Sequence, residues 1–362
     1  MLELADIVRR HAPAYLARFG ARVPQAHRKA LRAIERCRTP ENGGHIYRCT
    51  ACAAGHFGFH SCHHRACPKC GAPEAEAWKE RQRERLLPVP YFLVTFTLPA
   101  ELRAAFRAHQ RLCYQLLFAA SAGALQDVAA VPRHLGAQLG FSGVLHTWTR
   151  QLVYHPHIHY IVPGGGLRAD EKKWRKCRHT PASEPFLLHY KVLSRRFRQR
   201  LQESLQAEDP ALFYSLPASL WRKEWVVHCQ PAGSGHGALG YLARYVGRTA
   251  LSNARLLSDD GTHITFAYTE SDTGLPKTCS LEPHEFLRRF LQHVLPTGFQ
   301  RVRHFGWLHP RAQRRFLRVQ TLLSVPLVLR AAGPPKPPLH LRCPRCSCFT
   351  LQIVGRLPRP PP

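Results

Sequence analysis

The sequence predicts an α+β chain, an antiparallel sheet with helices packed against it, preceded by a small helical metal-binding module. Three observations carry this reading. Segments of helical apolar spacing alternate with short β-rich runs that stop at Pro or Gly, cysteines crowd between Cys37 and Cys70, and three histidines fall in two runs spaced as a hairpin.

Residues 2–19 and 23–36 have helical apolar spacing and end at Gly20 and before Thr39-Pro40, which predicts a helical hairpin. The cysteine- and histidine-dense stretch 37–70 follows, and residues 74–87 read as a charged helix closing the module at Pro88 and Pro90. Residues 91–98 are aromatic and β-branched and stop at Pro99, so they read as a buried strand. Residues 101–125 read as helical, and a second β-rich block, 141–162, stops at Pro163-Gly164-Gly165-Gly166. A basic segment (Lys172, Lys173, Arg175, Lys176, Arg178) leads to a helix over 191–206 and a strand over 225–229. The Gly-rich run 233–237 introduces a helix over 238–248. Strands at 264–269 and 277–281, a helix over 283–294 and a basic segment, 301–304, follow. The proline-rich tail from Pro334 reads as loosely ordered apart from Cys343, Cys346 and Cys348. These boundaries give a metal-binding module at 1–88, a sheet domain at 89–330 and a Pro-rich, Cys-containing tail at 331–362.

At 362 residues the chain is long enough to bury a full core, so core formation sets no limit. Lys and Arg number 52 against 23 Asp and Glu, a formal net charge of +29. Self-repulsion on that scale implies a polyanionic partner, with nucleic acid the leading class. Only 10 of the cations are Lys, which favours bidentate phosphate contacts and stacking on bases. The first twenty residues carry Glu3, Asp6, Arg9 and Arg10 and no uninterrupted apolar stretch, so no secretory signal is expected, and no run reaches membrane-spanning length. The expected location is the cytoplasm, whose reducing conditions turn 13 Cys toward metal rather than disulfides.

Cys49-x-x-Cys52 and Cys67-x-x-Cys70 are two thiol knuckles separated by 14 residues, the spacing of a tetrahedral four-cysteine zinc site. Four thiolates leave no open position, so such a site organises structure. Cys37, His45, His60, Cys62, His63 and His64 lie close enough to complete a second zinc site, with Cys37 and Cys62 as its thiols; spacing does not choose among the six. Cys113, Cys177, Cys229 and Cys279 read as ordinary packed thiols. Cys343, Cys346 and Cys348 could hold metal but have no second pair nearby in sequence.

His155-Pro156-His157-Ile158-His159 lies in an expected strand, where His157 and His159 point to one face. A two-residue turn at Gln151-Leu152 between strands 141–150 and 153–162 would set His146 directly across from His157. Three imidazoles on one patch make an open metal site with room for water or a phosphate oxygen. Tyr241 and Tyr245, four residues apart, stack on one helix face, where phenols serve either as packing or as nucleophiles.

At these residues a resemblance becomes specific. His157-x-His159 with a downstream Tyr241-x-x-x-Tyr245 resembles the HUH nucleases, which include replication initiators, relaxases and transposases. The series Tyr47-Arg-Cys49-x-x-Cys52, Ser61-Cys62-x-x-Arg65-x-Cys67-Pro68-x-Cys70, Phe96-Thr-Leu-Pro99, Leu145-His146-Thr-Trp148, His155-Pro-His157-x-His159, Pro163-Gly-Gly-Gly166 and Tyr241-Leu-x-Arg-Tyr245 is similar to the two-tyrosine transposases of the bacterial insertion-sequence ninety-one family. The likeness extends to Glu285-Phe-x-Arg-Arg-Phe290 and Arg303-His-Phe-Gly306, nearly the whole chain. Departures are the short proline-rich tail after Leu329 and Gly247 just beyond the second tyrosine.

The resemblance implies an HUH-nuclease sheet and a rolling-circle transposase that nicks and rejoins single-stranded DNA at insertion-sequence ends and target DNA through a 5′-phosphotyrosine bond. Tyr241 and Tyr245 would be the nucleophiles, with a divalent ion on His146, His157 and His159. Three imidazoles alone suggest a transition metal; the resemblance points to Mg2+ or Mn2+, beside structural Zn2+. It also implies a bacterial protein associated with the nucleoid. Trp148, Trp174 and Tyr160 are candidate stacking residues for a single strand. A replication initiator or relaxase would share the chemistry, whereas a zinc-finger DNA-binding protein would leave the histidines and tyrosines idle. Sparse acids argue against a carboxylate-triad transposase.

Overall fold

In a computed structural model, which describes residues 2–237, 239–240, 249–270, 272–327 and 341–359, the chain opens with the helical hairpin that apolar spacing predicts. Helix α1 (Leu4–Phe19) starts at a capping box in which Glu3 and Asp6 answer each other's backbone donors. It buries Leu4, Ile7, Val8, His11 and Tyr15 along one stripe. Helix α2 (Gln25–Glu35) contributes Ala30, Leu31 and Ile34. The cysteine-rich stretch then forms an antiparallel hairpin, β1 (Gly44–Cys49) and β2 (Gly55–Phe59), in register Gly44 to Phe59. Helix α3 (Gly71–Arg83) follows.

Strand β3 (Tyr91–Thr97), helices α4 (Arg103–Ala108) and α5 (Gln110–Ala130), and strands β4 (Gly140–Trp148) and β5 (Tyr154–Pro163) come next. Two small ladders, β6 (Gly165–Leu167) with β7 (Trp174–Lys176) and β8 (Arg178–His179) with β9 (Pro185–Phe186), lead to α6 (Tyr190–Glu208), α7 (Pro210–Tyr214) and β10 (Val227–Pro231). Strands β11 (Leu256–Asp259), β12 (Ile264–Thr269) and β13 (Pro276–Leu281) form an antiparallel sheet of their own, followed by α8 (Pro283–Leu291). Strand β14 (Val302–Gly306), α9 (Gln313–Leu322) and β15 (Leu351–Leu357) complete the chain.

Two compact units result: Met1–Pro73 with Arg248–Val294 and Arg330–Pro362, and Glu74–Gly247 with Leu295–Leu329. Residues 248–294, which the sequence reading groups with the sheet domain, thus fall in the first unit. In that unit α1 packs on α8, with Tyr15 and Phe19 against the His284 ring, and His11 Nε2 lies 3.0 Å from both carboxylate oxygens of Asp259. Its second sheet runs β15-β1-β2, so the tail is a paired strand over 351–357, a correction to the loosely ordered segment expected there.

The second unit is built on a five-stranded antiparallel sheet in the order β10-β3-β5-β4-β14, in keeping with the α+β class. Alternation divides its faces. Phe92, Val94 and Phe96 of β3, Phe141 and Leu145 of β4, and Ile158, Tyr160 and Val162 of β5 pack against Leu117, Phe118 and Leu125 of α5 and Leu193, Phe197 and Leu201 of α6. Each large side chain buried there contributes roughly 1.5–3 kcal/mol. The two helices are clamped by Asp127, whose carboxylate lies 2.5 Å from Arg196 Nε and 2.6 Å from Arg200 Nε. The basic segment around Arg303 is the edge strand β14, with the guanidinium 4.4 Å from the Phe118 ring centre.

Candidate active site and metal centres

The face of the sheet turned away from α5 and α6 carries the histidines. His146 pairs directly with His157 and Val144 with His159, as the expected register requires. The route to it differs. The strands are joined by residues 149–153 rather than by a two-residue turn, with Leu152 at φ 60° and Thr149 N–H donating to Val153 O at 2.9 Å. A register shift between His146 and Trp148 sets His155 and Pro156 opposite Thr147, and this bulge tolerates a proline without an N–H. The longer connection and the bulge offset each other, so His146 meets His157 where a regular hairpin would have placed it.

His146 and His159 are buried, with His157 partly exposed between them. One ligand nitrogen from each ring lies within 4.8 Å of the others. His146 Nδ1 and His157 Nε2 are 3.0 Å apart. His157 Nδ1 donates to the His155 carbonyl at 2.7 Å, which directs its Nε2 lone pair into the cluster. His159 Nδ1 is 2.9 Å from Thr95 Oγ1, on the adjacent strand position of β3. Burial depresses His157 to about 4 and His159 to about 3, so both imidazoles are neutral, the protonation state of a metal ligand. Thr95 and the His155 carbonyl are contributors not legible in the sequence, because a strand threonine and a backbone oxygen give no residue-type signal for this role. Arg103 donates to His155 Nδ1 at 2.8 Å and holds that ring beside the patch.

Tyr241 and Tyr245 lie outside the described residues, as does most of the helix expected at 238–248. Residues 235–237 and 239–240 are helical, and Leu239 is buried with Trp78, Tyr91, Val144 and Ile161. Val144 and Ile161 share the histidine face with His146 and His159. The chain two residues before Tyr241 therefore lies on the histidine side of the sheet. Of the expected stacking aromatics, Trp148 borders the site, its ring centre 3.9 Å from that of His146. Tyr160 is instead a core residue on the opposite face, bonded to Ser121 at 2.7 Å, and Trp174 packs on Trp307.

The cysteines form two four-thiol groups, Cys37/Cys62/Cys67/Cys70 and Cys49/Cys52/Cys343/Cys346. The two knuckles Cys49-x-x-Cys52 and Cys67-x-x-Cys70 thus belong to different groups, a correction to the single site that spacing suggests. Cys49 and Cys52 sit at the tip of the β1–β2 hairpin and Cys37 and Cys62 beside its base. Five paired residues separate tip from base by about 17 Å, far beyond one ion's reach. Sulfur separations are 3.5 Å for Cys37–Cys70 and 3.7 Å for Cys62–Cys70. In the other group they are 3.6 Å for Cys49–Cys346 and 3.7 Å for Cys52–Cys343. A tetrahedron of Zn–S bonds of about 2.3 Å has edges of about 3.8 Å, so both groups fit zinc. The Cys67 thiol hydrogen-bonds Cys62 and lowers it to about 5, while Cys67 itself is raised, as expected of thiols sharing protons around one centre. His45, His60, His63 and His64 join neither group; His45 and His60 pack ring to ring at 4.8 Å.

The fold and its sites define a strongly basic α+β protein with zinc-type cysteine clusters and a histidine patch. Residues 140–315 match the family described as "Putative transposase", and residues 7–98 match "Transposase zinc-binding domain". The chain is 38% identical over 353 residues to "Putative transposase y4qJ" of Sinorhizobium fredii, covering 92% of this chain and 87% of that one. It is 29% identical over 300 residues to "Transposase for insertion sequence element IS801" of Pseudomonas savastanoi pv. phaseolicola, covering 78% of this chain and 70% of that one. No solved structure matches. The chain belongs to the insertion-sequence ninety-one family of transposases. Membership makes DNA its substrate and strand cleavage and transfer its reaction, with zinc as a bound metal. Among the described residues no helix is long and apolar enough to cross a membrane.

Proposed function

We propose that this transposase nicks and rejoins single-stranded DNA at insertion-sequence ends through a 5′-phosphotyrosine bond, the chemistry of rolling-circle transposition. The observation that carries the reading is the convergence of His146, His157 and His159 on a sheet face that Leu239, two residues before Tyr241, also covers. In this reading the three imidazoles hold a divalent ion, magnesium or manganese, and Tyr241 and Tyr245 are the nucleophiles. Bound there, such an ion would supply charge to polarise and orient the scissile phosphate.

The phenolic oxygen of one tyrosine forms the new P–O bond, the 3′ oxygen leaves, and the phenolic proton offsets the charge on that oxygen. One phosphodiester replaces another, so a 3′-hydroxyl can later attack the phosphotyrosine and rejoin strands without ATP. A second tyrosine lets cleavage and transfer alternate. Residues 1–88 serve recognition of the DNA ends and 89–330 the chemistry, and the closed thiol shell of Cys37, Cys62, Cys67 and Cys70 holds a structural zinc.

A hydroxyl is all that separates a nucleophile from a packing ring, so Tyr→Phe is the discriminating change. The double variant Tyr241→Phe/Tyr245→Phe is expected to fold and bind DNA yet form no covalent adduct with a 3′-labelled single-stranded oligonucleotide carrying the element's end. Each single variant retains some cleavage. A labelled adduct from the double variant, read on a denaturing gel, overturns the mechanism; loss of cleavage in Tyr245→Phe alone, with Tyr241→Phe silent, removes Tyr241.

A further inference from the structure

Two turns from distant parts of the sequence are folded alike. In Cys49-Thr50-Ala51-Cys52 the Cys49 N–H donates to Ala54 O at 2.9 Å, and in Cys343-Pro344-Arg345-Cys346 the Cys343 N–H donates to Cys348 O at 2.8 Å. Each turn is closed a second time, by Ala53 N–H to Cys49 O at 2.9 Å and Ser347 N–H to Cys343 O at 2.8 Å. The residue after each knuckle is left-handed, Ala53 at φ 56° and Ser347 at φ 64°. Neither is glycine, and residues with a side chain rarely adopt this conformation. Two equivalent strained turns therefore present their thiols to each other.

Behind the turns, β15 pairs antiparallel with β1, Cys49 opposite Leu351, and Thr50 N–H reaches Thr350 O at 3.1 Å. His56 Nε2 lies 3.3 Å from Cys343 Sγ and Thr350 Oγ1 3.1 Å from Cys49 Sγ, donors suited to thiolates. Sulfur separations of 3.6 and 3.7 Å are far beyond the roughly 2.05 Å of a disulfide and close to a zinc tetrahedron's edge. We propose that Cys49, Cys52, Cys343 and Cys346 bind a second zinc ion, in a two-knuckle ribbon assembled from opposite ends of the chain. The matched zinc-binding domain spans residues 7–98, so half of this ligand set comes from outside it. The site joins residues 291 positions apart and makes the tail part of the metal module.

The full-length chain, purified without chelator and supplied with zinc, is expected to hold one zinc ion more than its Cys343→Ser/Cys346→Ser variant by elemental analysis and native mass spectrometry. Cys348→Ser, whose thiol is exposed and outside the group, should hold as many as the wild type. Equal zinc content in the double variant and the wild type overturns the proposal. Should the double variant fail to fold, alkylation of the zinc-loaded wild type decides: Cys343 and Cys346 should resist iodoacetamide until a chelator is added while Cys348 reacts at once, and equal reactivity of Cys346 and Cys348 with zinc present refutes the site. Metal content is read without DNA, so failure here leaves the phosphotyrosine reading standing, and failure of that reading leaves this one.

Discussion

Two rings of the histidine patch are aimed by neighbours outside it. A carbonyl oxygen two residues back in the chain fixes His157, and for His159 the equivalent partner is the Thr95 hydroxyl at 2.9 Å. A partner of this kind selects the tautomer and orients the ring, and its loss typically costs 10–100-fold in metal affinity. Thr95→Val keeps the shape and removes the oxygen. It is expected to raise the magnesium or manganese concentration for half-maximal nicking roughly 10–100-fold, with nicking at saturating ion largely retained. Thr95→Ser should restore the wild-type titration. An unchanged titration curve for Thr95→Val would mean that His159 needs no such support.

At the level of the strand pair, Gly143 stands opposite Tyr160, and a Cβ at that position would meet the buried Tyr160 ring. The ring cannot swing away without giving up its 2.7 Å bond to Ser121 on α5. Gly143→Ala should therefore destabilise the chain by roughly 1–3 kcal/mol, seen as a lower urea midpoint. Combined with Tyr160→Leu the two costs should be less than additive, since the smaller side chain removes the clash; strict additivity would show that the ring does not constrain this position. The hairpin was legible in sequence because alternation and one paired histidine fix a register. Its loop was not, because a longer connection and a bulge at Pro156 give the same register as a two-residue turn. Strands β1 and β2 were not legible because they are short, carry glycines and lie within a stretch whose cysteines and histidines read as ligands rather than as strand, and β14 was not because Arg303 buries its charge against aromatic rings rather than showing alternation. The pairing of Cys49 and Cys52 with Cys343 and Cys346 was hidden by distance: the repeated C-x-x-C spacing is visible, but local spacing favours the nearer knuckle.

The charge of the whole chain sets how it meets DNA. Of the few acids, Asp127 is taken up by Arg196 and Arg200 and Glu285 by Arg288 and Arg289, local pairs that leave a formal excess of +29. Affinity from such an excess comes from release of counterions condensed on the nucleic acid, and log affinity then falls linearly with log salt, by about 0.7 per phosphate engaged on a single strand. If on the order of six phosphates are engaged, raising salt from about 50 to about 200 mM weakens binding roughly 300-fold. His157→Ala should bind a single-stranded oligonucleotide with the same slope and similar affinity while losing nicking, because in the proposed mechanism the patch orients one phosphate and the arginines hold the rest. A slope shallower than about −2, measured by fluorescence anisotropy across that range, would show that the charge is not what binds the strand. A slope that changes only in the His157 variant would instead move the histidine patch from the chemistry to the grip on DNA.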